Sequence, residues 1–224
     1  MCNLYSNTIP QDVMRERFGI LPGQDRIGNQ PSLPAIFPGH DAPAVRMDGD
    51  GQRELVMMKW GFVMRPKSTK TGKLLAPKAV NNARDDKLAG RFWNASFRDR
   101  RCLIPASSFC EAKGSKPATY YWFGVTGEGP RPPFAFAGIW RDFKGEWRGD
   151  EIEIPTSSIV TSVPNELVKP IHPSRMVVIL PETDWEQWLT GSEDDARALI
   201  KPFPAEAMQI VQSGENLKSD RGEA

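Results

Sequence analysis

Apolar residues fall mostly in short runs along this chain, not in long helical stripes. The runs Leu55–Trp60, Leu103–Ile104, Tyr120–Thr126, Phe134–Trp140, Glu151–Ile154, Ile159–Ser162 and Met176–Leu180 are separated by polar or turn-forming residues. Several are rich in aromatic and β-branched side chains and predict strands. Helical spacing is confined to four places. Pro10–Phe18 predicts a helix, with proline suited to its first turn and Gly19 suited to ending it. Leu88, Phe92, Trp93 and Phe97 recur at helical intervals and predict a second helix over Asp85–Phe97. Thr183–Leu189 and Glu193–Ile200 predict two more, the latter capped by Ser192. Residues 19–51, dense in Gly, Pro, Asp and Asn, read mainly as surface loop with an exposed His40, and the polar stretch after Ser213 reads as a fraying tail. Strands outnumber helices and do not alternate with them, which points to an antiparallel α+β architecture and against a doubly wound parallel sheet.

Length and composition narrow this further. A chain of 224 residues, 39% hydrophobic, with 7 Trp and 11 Phe, can bury a full core as a single domain. No apolar run approaches the roughly 20 residues of a membrane span, and the first residues lack a signal-peptide pattern, so a cytoplasmic protein is expected. Three cysteines, at 2, 102 and 110, make no disulfide framework, and they share no zinc-ligand spacing with His40 or His172. With no P-loop, dinucleotide fingerprint or HExxH, no metal or cofactor is expected.

Charge becomes informative once it is localised. The net charge is +1, yet residues 59–116 hold 14 Lys plus Arg against 4 Asp plus Glu. A basic face on an otherwise acidic protein suits a polyanion, and plain solvation of the same side chains explains it equally well. The arginines between the aromatics of the second helix, Arg91, Arg98, Arg100 and Arg101, are expected to remain free once that apolar stripe is buried.

Candidate chemistry starts at Cys2. Removal of Met1 by an aminopeptidase leaves an α-amine, with a reference pKa of about 7.7–8.0, and a thiol near about 8.5 on adjacent carbons. Such a 1,2-aminothiol traps an aldehyde, first as an imine and then as a five-membered thiazolidine. The competing reading is an incidental cysteine in a frayed terminus. Cys102 and Cys110 read as small core residues. Three further segments hold suitable polar groups: Asn82 within Asn81-Asn82-Ala83-Arg84, Glu111 after an apolar stretch, and His172 before an apolar strand. A buried Glu111 can serve as acid and base, and His172 can move a proton near neutrality. Equally open are a Glu111–Lys113 pair, a His172 bond to a backbone carbonyl, and Asn82 as a turn residue.

Taken in order, these segments resemble the SOS-response-associated peptidase (SRAP) family over roughly residues 1–212. The likeness rests on Met1-Cys2-Asn3-Leu4-Tyr5, Trp60-Gly61-Phe62, Asn82-Ala83-Arg84, Arg101–Ala106 through Glu111, Phe134–Trp140 and Ile171–Met176. It implies a β-rich α+β domain, its mainly antiparallel sheet curved into a barrel-like core with a few peripheral helices, over 1–212, followed by a tail at 213–224. It also implies a probe of abasic sites in single-stranded DNA, working as a monomer without a membrane. In that reading Cys2 is the crosslinking nucleophile, Asn82 positions it or the opened sugar, Glu111 is the acid and base, and His172 is the proton donor for ring closure and slow reversal. Arg84 and Arg175 hold flanking phosphates, and Trp60 lies near the DNA channel or in the core. The chain departs from the family pattern at Asn3 and Leu4, at Cys110 and Ala112 around the glutamate, at Val177, and by one extra residue between His172 and Arg175. Two rivals stand beside this reading: a cysteine peptidase using Cys2 and His172, and a non-covalent single-strand binding module.

Overall fold

The computed structural model describes residues 2–222. In chain order the strands are β1 (Tyr5–Asn7), β2 (Leu33–Ile36), β3 (Asp41–Met47), β4 (Arg53–Trp60), β5 (Phe62–Met64), β6 (Lys78–Val80), β7 (Asn82–Arg84), β8 (Arg101–Ala106), β9 (Ser108–Lys113), β10 (Thr119–Val125), β11 (Phe134–Trp147), β12 (Asp150–Ser162), β13 (Met176–Val177), β14 (Ile179–Leu180) and β15 (Met208–Glu215). The helices are α1 (Gln11–Arg17), α2 (Asn94–Asp99), α3 (Trp185–Thr190) and α4 (Glu193–Ala198). The larger sheet runs β12-β4-β3-β8-β11 and closes on itself through the β11–β12 pairing, a five-strand barrel. A second sheet, β15-β10-β9-β1-β2, packs beside it. The β-rich α+β class with a mainly antiparallel, barrel-like core is thus observed; β12 makes its parallel pairings with β4 and β7.

Period-two alternation sends successive side chains of each barrel strand to opposite faces of the wall. On β11, Ala135, Ala137 and Ile139 join one buried cluster with Phe18, Phe97, Trp185 and Trp188 from the helical side. Phe134 and Phe136, pointing the other way, join a second cluster with Tyr5, Phe109 and Phe123 of the smaller sheet. Both faces of the barrel wall are therefore dry, one under helices and one under sheet. Tyr5 is the hinge of the second cluster, edge-on to Trp60 at 4.8 Å and to Phe136 at 5.6 Å.

Several expectations require correction. Residues 19–51 are mainly loop but also hold β2 and β3, which the sequence did not announce: β3 pairs with β4 over seven residues, from Asp41 with Lys59 to Met47 with Arg53. Its proline and two alanines carry little strand signal, and the pairing supplies what local propensity lacks. The second helix does not run from Asp85 to Phe97. It breaks into a 3-10 turn at Asp85–Lys87, successive i to i−3 turns through Gly90 and Trp93, and then α2. Gly90 weakens a continuous helix, while Leu88, Trp93 and Phe97 still reach the core. Phe134–Trp140 continues to Trp147, and Glu151–Ile154 and Ile159–Ser162 are parts of one strand. The hairpin between them turns at Arg148 and Gly149, both at positive φ, as a two-residue loop matched to the strand twist requires. The α1 and α4 expectations hold, Ser192 closing a capping box with Asp195.

The stretch after Ser213 is also more ordered than its polarity suggests. β15 runs to Glu215, Trp122 Nε1 donates to Leu217 O at 2.9 Å, and buried Asp220 pairs with Arg131 at 2.8 Å.

Arg101 is not a free cation. Its guanidinium is buried and donates to the carbonyls of Phe97 (2.9 Å) and Arg98 (2.8 Å) in the last turn of α2, and to those of Trp188 and Gly191 at the end of α3. One side chain thus caps two helix C-termini, satisfying carbonyls that helix geometry leaves without partners. Arg101→Met is expected to cost about 2–4 kcal/mol in urea unfolding, and Arg101→Lys to recover little, since an ammonium cannot reproduce the fork. A loss below about 0.5 kcal/mol, the scale of an ordinary surface change, contradicts this role.

Candidate active site

The site is assembled where the chain's beginning crosses the seam between the two sheets. β1 pairs with β9, Tyr5 opposite Phe109 and Ser6 opposite Ser108, and Cys110 N continues the ladder to Leu4 O at 2.9 Å. Residues 2–4 therefore run alongside the part of β9 that carries Glu111. From the barrel side, β7 lies parallel to β12, and Ile159 N donates to Asn81 O at 3.0 Å. Trp60 Nε1 donates to the same carbonyl at 3.1 Å. So fixed, Asn81 and Asn82 each aim a side-chain amide at one atom, Cys2 O, both at 2.8 Å. Asn81 also donates to Asn3 Oδ1 at 3.2 Å. Asn82 Oδ1 is buried and has no hydrogen-bond partner among the described residues.

Beside this clamp opens a cavity of about 510 Å³, whose wall includes Asn3, Cys110, Glu111, Tyr120, His172 and Lys218. Glu111 is buried on β9, and loss of solvent pushes its carboxyl up to about 7. The open alternative of a Glu111–Lys113 pair is not formed: Lys113 is exposed and has no ion-pair partner among the described residues. His172 is delivered by a turn that Asn165 organises, its Oδ1 accepting from Leu167 N and Val168 N before His172 N closes onto Val168 O. Nδ1 of the imidazole does not donate to a carbonyl. Nδ1 instead accepts Arg175 N at 3.1 Å, which leaves the proton of the neutral ring on Nε2. Burial holds this imidazole below its usual range, favouring that neutral form.

The Cys2 thiol does not open into the cavity. It is fully buried, donates to Leu4 O at 3.3 Å, and belongs to the apolar cluster of Tyr5 and Trp60. Burial and the nearby Glu111 carboxylate both raise its pKa, so it is held as a neutral thiol. Cys102 and Cys110 are small buried residues on β8 and β9.

Glu111 and His172 thus line one cavity, with Cys2 and Asn82 joined to each other beside it, whereas the three expected DNA-contact residues lie outside its lining. Arg84 forms a bidentate pair with Asp86 at 2.9 and 2.8 Å. Arg175 donates to Asp85 and, at 3.0 Å, to Asp86. Trp60 is fully buried, so it has no ring face for a base; its work is packing on Tyr5 and holding Asn81. Sequence reasoning grouped Asn81 with Asn82 but gave it no role, and adjacency to an assigned asparagine was the one available signal.

The sequence matches the family described as SOS response associated peptidase (SRAP) over residues 1–219. The chain belongs to the SRAP family. It is 31% identical over 185 residues to Abasic site processing protein YoqW of Bacillus subtilis (strain 168), covering 79% of this chain and 76% of that protein. YobE of the same organism, also named an abasic site processing protein, is 31% identical over 187 residues, covering 79% and 78%. Among solved structures, proteins from Bordetella bronchiseptica and Bacteroides thetaiotaomicron superpose with TM-scores of 0.70 at 23% and 22% identity. Each comparison covers 96% of this chain, with 99% and 91% of the respective partner, so the SRAP fold is shared nearly end to end.

Burial of Glu111 has a measurable cost. Its carboxyl titrates near 4.5 when solvated and about 7 in the fold, so between these values the native state keeps a proton that the unfolded chain has lost. Stability therefore falls as pH rises from about 4.5 to 7. Glu111→Gln is expected to be more stable than wild type by about 1–3 kcal/mol at pH 8, with the difference vanishing near pH 4, in urea melts across pH. A difference that does not vary with pH contradicts the assignment.

Proposed function

We propose that this chain captures abasic sites in single-stranded DNA covalently through Cys2 and so shields them from strand cleavage. The observation that carries the reading is the pair of asparagine amides on Cys2 O, which fix the first part of the chain beside a cavity lined by Glu111 and His172. Membership in the SRAP family, and the names of the Bacillus relatives, support the substrate class. Removal of Met1, which lies outside the described residues, is part of the proposal, because it converts the Cys2 nitrogen into a free amine.

The chemistry then follows in balanced steps. The amine adds to the aldehyde carbon of the ring-opened sugar, and loss of one water leaves an imine. The thiol sulfur adds to the imine carbon while its proton passes to nitrogen, closing the thiazolidine. One C–N and one C–S bond form for each water released. Glu111, with both protonation states present near neutrality, relays protons in sugar opening and dehydration. The Nε2 proton of His172 serves ring closure and slow reversal. Asn82 Oδ1 receives a donor hydrogen from the Cys2 amine or the opened sugar. Holding amine, thiol and acid in one geometry before the sugar arrives replaces entropy the reaction otherwise loses.

Arg84 and Arg175 are assigned to flanking phosphates, exchanging Asp85 and Asp86 for DNA. We assign a monomer that acts in the cytoplasm at the nucleoid, with a functional domain that runs past residue 212 to include the whole of β15 and the Asp220 contacts. A peptidase built on a Cys2–His172 pair is less well supported, since the thiol proton goes to Leu4 O.

Incubation with an abasic single-stranded oligonucleotide is expected to give a gel shift that survives denaturation and disappears with Cys2→Ala. Absence of the shift, or its persistence in Cys2→Ala, removes the proposal. Asp86→Asn frees Arg84 and loosens Arg175, and is expected to bind undamaged single strands several-fold more tightly at low salt. Asp150→Asn, at the distant hairpin tip, controls for the lost charge; equal effects of the two variants take Arg84 and Arg175 off the DNA path.

A further inference from the structure

We propose that Lys218 is a phosphate-binding residue of the same cavity, and that the fixed segment 216–222 serves to present it. This rests on the abasic-DNA reading and adds a residue that reading did not contain. A phosphodiester entering beside Glu111 and a neutral His172 meets a wall with little positive charge. Among the described residues lining the cavity, Lys218 alone carries a full positive charge. Arg84 and Arg175 lie outside that lining and are already held by Asp85 and Asp86.

The backbone on both sides of Lys218 is tied down. Asn216 turns the chain at φ +59, and Lys218 N donates to its carbonyl at 2.9 Å. Leu217 O accepts from Trp122 Nε1, and Ser219 O accepts from Gln212 Nε2 at 3.0 Å. Asp220 is the pin. Its side chain, 2% exposed, accepts from Ser108 Oγ at 2.6 Å and from Arg131 Nε at 2.8 Å, while Asp220 N donates to Pro34 O at 2.8 Å. Ser108 in turn meets Ser6 of β1 at 2.9 Å. The tail is thereby joined to the strand that leads from Cys2.

Between these fixed points the Lys218 side chain itself is exposed. Its ammonium lies 5.7 Å from the centre of the Tyr120 ring and has no acidic partner among the described residues. A buried carboxylate network that holds an unpaired lysine at a cavity mouth is an arrangement for an anion.

The test uses fluorescence anisotropy with a short single strand bearing a tetrahydrofuran abasic analogue, which has no aldehyde and cannot crosslink. Lys218→Ala is expected to weaken binding several-fold and to flatten the salt dependence by about 0.7 in the log–log slope, the value of one lost phosphate contact on a single strand. Lys218→Arg is expected to restore both. An unchanged affinity and slope in Lys218→Ala overturns the proposal, as does a loss that Lys218→Arg does not repair, or a wild type that does not bind. An aldehyde-bearing strand of the same sequence separates the two readings. Lys218-dependent binding without a denaturation-resistant adduct keeps this inference and removes covalent capture. An adduct whose formation at limiting DNA ignores Lys218→Ala removes this inference alone.

Discussion

Everything at the site depends on two hydrogen bonds to one carbonyl oxygen. The start of a chain ordinarily frays, because a few residues cannot offset the entropy of ordering them. Here Cys2 O accepts from both Asn81 and Asn82, and these amides are themselves fixed, since Asn81 O is held by Ile159 N and Trp60 Nε1. Rigidity passes from the barrel through β7 to the chain's first described residue. A mechanism that needs an amine and a thiol on neighbouring atoms, aimed at one carbon, needs that order before the substrate arrives.

Burial then sets protonation. Loss of solvent raises the Cys2 thiol and Glu111 and lowers His172, so each shift favours the neutral form. The proposed reaction suits such a cavity, because imine formation and ring closure move protons between neutral partners. Positive charge is kept to the periphery, on Arg84 and Arg175 under the restraint of Asp85 and Asp86, and on Lys218 at the mouth. In the proposed reaction, attraction of the polyanion and chemistry on its sugar are thereby separated in space.

Residues with unusual chemistry were the most legible in sequence. Cys2 at the start, Glu111 after an apolar run and His172 before one each had a plain alternative and stood out through their joint resemblance to the SRAP pattern; Glu111 and His172 line one cavity, and the Cys2 thiol turns away from it. Elements defined by local signals were legible too, β4 and β10 by their apolar runs and α1 by Pro10 before it and Gly19 after it. What depended on partners far along the chain was not. β3 carries a proline and two alanines and exists because β4 lies beside it, and the outer half of β11 is polar and exists because β12 pairs with it. Trp60 could be read for DNA or for core, and only its neighbours decide. The order of Asp220 comes from Arg131 and Ser108, which nothing in a polar C-terminal stretch announces.

The most direct test of the account is tandem mass spectrometry of the peptide that carries the sugar after crosslinking and digestion. The account predicts a peptide beginning at Cys2, without Met1, heavier by the sugar remnant less one water, with both the amine and the sulfur blocked. A remnant on Lys218 or on any internal residue, or on a peptide that retains Met1, contradicts it.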